Sequence, residues 1–105
     1  MESLHIHWRN TDRSAALEEH LTRHAGKLER YHPKVQGGTV TVRKNVHDFT
    51  VHADFSVPGS ELNVTHDHDD PYAAANLVFA TLERSLKQDA QKRRGQVKRH
   101  DNTDT

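Results

Sequence analysis

The sequence predicts an α+β domain of order β-α-β-β-β-α, a two-layer sandwich with both helices packed on one face of a four-stranded mixed sheet. Three observations carry this. Phe49, Val51, Ala53, Phe55 and Val57 alternate with Thr50, His52, Asp54 and Ser56, the period of a strand with one buried face. Leu17, Leu21, Ala25 and Leu28 recur at helical spacing, as do Tyr72, Ala75, Val78, Phe79, Leu82 and Leu86. Two helical stripes need a surface to cover them, and a sheet with one apolar face supplies it.

In chain order, Leu4, Ile6 and Trp8 alternate with His5, His7 and Arg9, a half-buried first strand. Asn10, Thr11 and Asp12 break it, and Asp12 is the expected N-cap of a helix over 13–31. Gly26 inside that helix costs about 1 kcal/mol relative to Ala. His32-Pro33 ends it, and Gly37-Gly38 loosens the connection to a second strand carrying Val40 and Val42. A right-handed crossover leaves these two strands parallel. Val57-Pro58-Gly59-Ser60 suits a type II turn, which joins the third strand to a fourth built on Leu62 and Val64. Asp67, Asp69 and Asp70 before Pro71 announce the second helix, since its dipole favours negative charge at the start. That helix is expected from 71 to at least 88, ending by Arg94 ahead of Gly95, with 96–105 as a disordered polar tail. Residues 1–95 then form one domain.

The chain of 105 residues has no cysteine, which excludes a disulfide framework and thiolate metal sites. Hydrophobic residues make up only 32%, so the core must be small and well placed. The start Met1-Glu2-Ser3-Leu4-His5 has no basic or apolar leader, and no segment approaches a membrane span. A cytoplasmic location follows as an expectation.

Fifteen Lys and Arg balance fifteen Asp and Glu. The charge is nevertheless sorted. No Lys or Arg occurs from 45 to 83, a stretch holding Asp48, Asp54, Glu61, Asp67, Asp69, Asp70 and Glu83. Arg84, Lys87, Lys92, Arg93 and Arg94 then follow on the second helix, and Arg23, Lys27 and Arg30 lie on the polar side of the first. Helices packed side by side would join these cations in one stripe, a surface suited to phosphates. A solvated helix face is the bland alternative, but such faces usually intersperse both signs. The acidic stretch is expected at the hairpin end, away from the cations.

The open sheet face should carry His5, His7, Thr39, Thr41, Arg43, Thr50, His52, Asp54, Asn63 and Thr65. Trp8, Phe49 and Phe55 fall on the apolar side, which argues against single-strand recognition by stacking on the sheet. Ten histidines make His5-x-His7, His66-x-His68 and His20-xxx-His24 candidate metal pairs. No third ligand is fixed by spacing, and His20-Leu21-Thr22-Arg23-His24 lacks the Glu of a zinc hydrolase. No metal or other cofactor is therefore assigned. Asp67-His68-Asp69-Asp70 lacks the Gly and Glu of a calcium loop. No nucleophile elbow, P-loop or dinucleotide fingerprint appears, so no enzymatic activity is expected. The remaining functional alternatives are a histidine-rich metal-binding protein and a free-standing double-stranded-RNA-binding module.

Lys27-Leu28-Glu29-Arg30-Tyr31 closing the first helix, Asp70-Pro71-Tyr72-Ala73-Ala74-Ala75 opening the second, and the element order together resemble the short ribosome hibernation factors. That family takes in hibernation promoting factors and ribosome-associated translation inhibitors, also called sigma-54 modulation proteins. The resemblance covers 3 to about 95; a weaker one is to double-stranded-RNA-binding domains with an added first strand. It implies a stationary-phase or stress protein that sits on the small ribosomal subunit in the mRNA and tRNA channel, contacts ribosomal RNA through both helices and blocks translation. Lys27, Arg84, Lys92 and Arg94 match positions where the family tends to be basic, and His24 stands where a Lys is common. Longer relatives append a dimerising domain, so a separate ribosome-dimerising factor is an implied partner, with this chain monomeric off the ribosome.

Overall fold

The computed structural model describes residues 4–98, with side chains through Gln88. Its elements are β1 (Leu4–Arg9), α1 (Ala15–Tyr31), β2 (Gly37–Lys44), β3 (Phe49–Val57), β4 (Ser60–His68) and α2 (Pro71–Lys98). The sheet order is β1-β2-β3-β4, with β1 parallel to β2 and the other pairs antiparallel. Both helices cover one sheet face, giving the expected α+β two-layer sandwich.

The core forms between the layers. Leu17, Leu21, Ala25 and Leu28 of α1 are buried, as are Val40 and Val42 of β2 and Val51, Ala53, Phe55 and Val57 of β3. From α2 come Ala74, Ala75, Val78, Phe79, Leu82 and Leu86. Phe55 lies fully inside and meets Phe79 edge-on at 6.0 Å between centroids, a favoured aromatic geometry. β2 also begins earlier than the apolar alternation suggests. Gly37 and Gly38 pair with Ser56 and Phe55 rather than loosening a loop. A Cβ on Gly38 would come within 2.6 Å of the Phe55 ring, so only glycine lets the strand pass this close.

The cap of α1 is Ser14, not Asp12. Ser14 is extended and its Oγ accepts from Leu17 N at 3.2 Å, three residues into the helix. Asp12 lies two residues too early to reach a helical N–H, because the chain turns at Asn10, at φ 57, and the helix starts only after the extended Ser14. At α2, Asp70 caps as its position before Pro71 implies: Oδ1 accepts from Tyr72 N at 2.9 Å and the backbone oxygen from Ala74 N at 3.0 Å. The helix passes through Gly95 and runs to Lys98, beyond its expected end. A glycine weakens a helix by only about 1 kcal/mol and does not by itself stop one. The rest of the expected tail, 99–105, lies outside the described residues. β4 is longer than its two apolar residues suggest, because Thr65, His66, Asp67 and His68 continue the ladder against β3.

Candidate nucleic-acid interface

The two helices run in the same direction. His20 of α1 meets Tyr72 of α2 with ring centroids 5.1 Å apart, and its Nε2 lies 2.9 Å from Asn76 Oδ1. One turn on, His24 stacks on Phe79 at 5.3 Å. Farther on, Leu28 and Tyr31 share a groove of ≈ 420 Å³ with Ala80 and Glu83. Position rises together along both helices, so their C-terminal halves, which carry the cations, emerge at one end of the molecule. The negative ends of both helix dipoles emerge there too, and basic side chains are favoured beside them.

Each expected contact residue has a distinct setting. Arg23, Lys27 and Arg30 are exposed along one side of α1, and Lys27 also lines the groove. Arg23 lies 3.6 Å from Glu19 one turn earlier. Arg84 and Lys87 are exposed on α2, with Lys87 3.9 Å from Glu83. Exposed pairs of this kind contribute about 0.2–1 kcal/mol and yield readily to a phosphate. Lys92, Arg93 and Arg94 continue α2 past the last described side chain. His24 is half-buried within the helix pair. Burial lowers its pKa from the ordinary value, and the positive fields of His20, Lys27 and Arg23 lower it further. The ring is thereby biased toward its neutral form, so it offers the groove a stacking surface rather than a charge.

Three groove residues escaped the charge-based reading. Tyr31 is 62% exposed at the end of α1, a large ring in open solvent beside Lys27. Asn76 adds a side-chain amide. Glu83 places a carboxylate among the cations, although it belongs in sequence to the acidic stretch. The hairpin turn is also not the acidic pole. Gln36 N, just past α1, donates to Ser56 O at 2.8 Å, which fixes the Pro58-Gly59 turn at the basic end. Asp67, Asp69 and Asp70 gather instead at the start of α2, because β4 ends opposite Phe49. Sequence order could not reveal this, since the direction of β3 and β4 is set by their pairing with β2.

Among the described residues no group of three or more His, Asp or Glu is placed to hold a metal ion. His20 and His24 meet edge-on at 4.6 Å. His66 Nε2 lies 3.0 Å from Thr81 Oγ1 of α2, and His68 Nδ1 accepts from Asp70 N at 3.0 Å just before that helix, so both rings of the β4 pair have hydrogen-bond partners. Among the same residues no helix is long and apolar enough to cross a membrane.

The architecture has solved counterparts. A ribosomal subunit interface protein from Coxiella burnetii superposes with a TM-score of 0.80 at 21% identity, covering 85% of this chain and 98% of that one. The N-terminal domain of Protein Y from Thermus thermophilus gives 0.73 at 18% identity, covering 82% of this chain and 97% of its own. At these identities the likeness establishes the fold. A search of the curated proteins finds no match. The family model described as sigma 54 modulation protein / S30EA ribosomal protein matches residues 4–94, nearly the whole described chain, and the protein belongs to that family.

Proposed function

We propose that this protein is a ribosome hibernation factor that acts by occlusion. It docks on the small ribosomal subunit in the channel used by mRNA and tRNA, through the basic faces of α1 and α2, and so silences translation in idle or stressed cells. The observation that carries the reading is the same-direction pairing of the helices, which gathers Arg23, Lys27, Arg30, Arg84 and Lys87 around one end. Family membership and the likeness to a ribosomal subunit interface protein point to the same partner. Lys and Arg neutralise phosphates and release counterions, so binding should weaken steeply with salt. No chemistry is needed, because filling the channel is enough. Such a protein works in the cytoplasm.

Co-sedimentation with purified small subunits, with cell-free translation in parallel, tests this over a salt series. Charge reversal at Lys27, Arg30, Arg84 and Lys87 should abolish both pelleting and inhibition. Pelleting indifferent to salt and to those reversals would sink the proposal.

A further inference from the structure

A second group of cations lies on the opposite side of the molecule from the helices. The parallel pairing of β1 with β2 sets Arg9 in register with Arg43, and both are exposed on the open sheet face. Adjacent strands lie about 4.8 Å apart. Like charges held opposite one another destabilise a sheet. Among the described residues neither arginine has a carboxylate partner, and Arg43 Nε donates to the neutral Asn45 Oδ1 at 3.1 Å. The acidic groups nearest the depression are held by Thr50, His52 and Asn45 rather than by the two arginines. Asp67 accepts from Thr50 Oγ1 at 2.6 Å, Asp48 from Asn45 Nδ2 at 2.8 Å, and Asp54 holds His52 Nε2 at 2.9 Å. Arg9, Thr41, Arg43, Thr50, His52 and Thr65 line one shallow depression of ≈ 310 Å³, and Lys44 borders the next one along.

An uncompensated arginine pair beside hydroxyl groups is complementary to a doubly ligated anion. The guanidinium fork matches phosphate oxygens, and two forks can grip one phosphate or two successive ones. The aromatic side chains Trp8, Phe49 and Phe55 pack toward the helices, leaving this face without a stacking platform for bases. We propose that the depression binds the phosphodiester backbone of an RNA strand, with Arg9 and Arg43 as the clamp and Thr41 as a hydroxyl donor. The proposal rests on the ribosome-binding reading and extends it: a sandwich 18 Å through its thinnest axis would be held between two RNA segments, one against the helices and one against the sheet.

The test compares the full chain with Arg9→Gln/Arg43→Gln and Arg9→Lys/Arg43→Lys, each checked by circular dichroism. A short fluorescent oligouridylate and intact small subunits are titrated separately across a salt series. The glutamine pair should lower the slope of log affinity against log salt by roughly 1.4 for the oligouridylate, at about 0.7 per phosphate on a single strand. The lysine pair should keep most of the slope. An unchanged slope in the glutamine pair overturns the site, as does equal binding of polyglutamate to the wild type. If the glutamine pair does not fold, amide shifts of the wild type decide: movement at Arg9, Thr41 and Arg43 on adding oligouridylate supports the site, and stillness there overturns it. The two readings fail separately. Small subunits that ignore the wild-type chain overturn the ribosome reading while the oligouridylate arm still judges the arginine pair. Subunit binding lost only on reversing the helix cations overturns the arginine pair alone.

Discussion

His24 lies stacked on Phe79, the ring planes 24° apart and the centroids separated by 5.3 Å. The contact joins α1 to α2 at the point where the groove opens, and it puts a titratable ring into the seam that holds the basic surface together.

Acidification should therefore loosen the seam. His24 has a folded pKa below its unfolded value, because of burial first and then the charges of His20, Lys27 and Arg23. Below an ordinary histidine pKa of about 6.5 the unfolded chain binds the proton more readily than the folded one. Stability is thus fully present above that value and falls with pH down to the folded pKa. Thermal melts from about pH 7.5 to about 5 should show a steeper fall for the wild type than for His24→Leu. The neutral bias also makes His24 a weaker contributor than an ordinary histidine to any gain in RNA affinity between about pH 7.5 and 6.

Removing the carboxylate from the groove should strengthen RNA binding. Glu83 lines the groove with Lys27 and draws on Lys87 at 3.9 Å. Glu83→Gln should tighten binding to small subunits roughly two- to five-fold, the scale of an exposed charge interaction of about 0.4–1 kcal/mol. Equilibrium pelleting at fixed salt measures it.

Two glycines should respond in opposite senses to alanine. Nothing lies within 4 Å of a Cβ built on Gly26, so Gly26→Ala should stabilise α1 by about 1 kcal/mol. Gly38→Ala drives a methyl group into the Phe55 ring and should cost about 1–3 kcal/mol. Urea denaturation of both variants checks the signs and their order.

The helix caps should each carry a measurable share. Ser14→Ala leaves Leu17 N without its acceptor, and Asp70→Ala does the same to Tyr72 N. Each should cost about 1 kcal/mol. Asp12→Ala, outside any cap, should change the melting temperature little by comparison.

Much of the fold was legible because its signals are local. The alternation over Phe49–Val57 fixes one strand and its buried face, and Pro58-Gly59, with Gly59 at φ 76, fixes the turn after it. β4 was under-read because Thr65 to His68 are polar. They belong to the sheet through pairing with β3, and a partner strand does not show in a residue's own periodicity. The capping residue of α1 depended on which of two competent side chains the turn at Asn10 carried to the helix start. In the interface, the type and helical phase of Lys27 and Arg84 were readable. The presence of Glu83 among them was not, because it follows from how α1 lies on α2. The facing of Arg9 and Arg43 likewise arises only from parallel register.

The topology also sets an order of assembly. β2, β3 and β4 are successive neighbours joined by short turns, so the 37–68 meander can close with little loss of chain entropy. β1 reaches β2 only after residues 10–36 have folded into a crossover, and it sits at the sheet's margin with one hydrogen-bonded neighbour. It should be the last strand to join and the first to open, with the fastest amide exchange in the sheet. The arginine clamp on the open face, half of which β1 supplies, would then exist only in the finished molecule, and a bound strand of RNA would hold that edge shut.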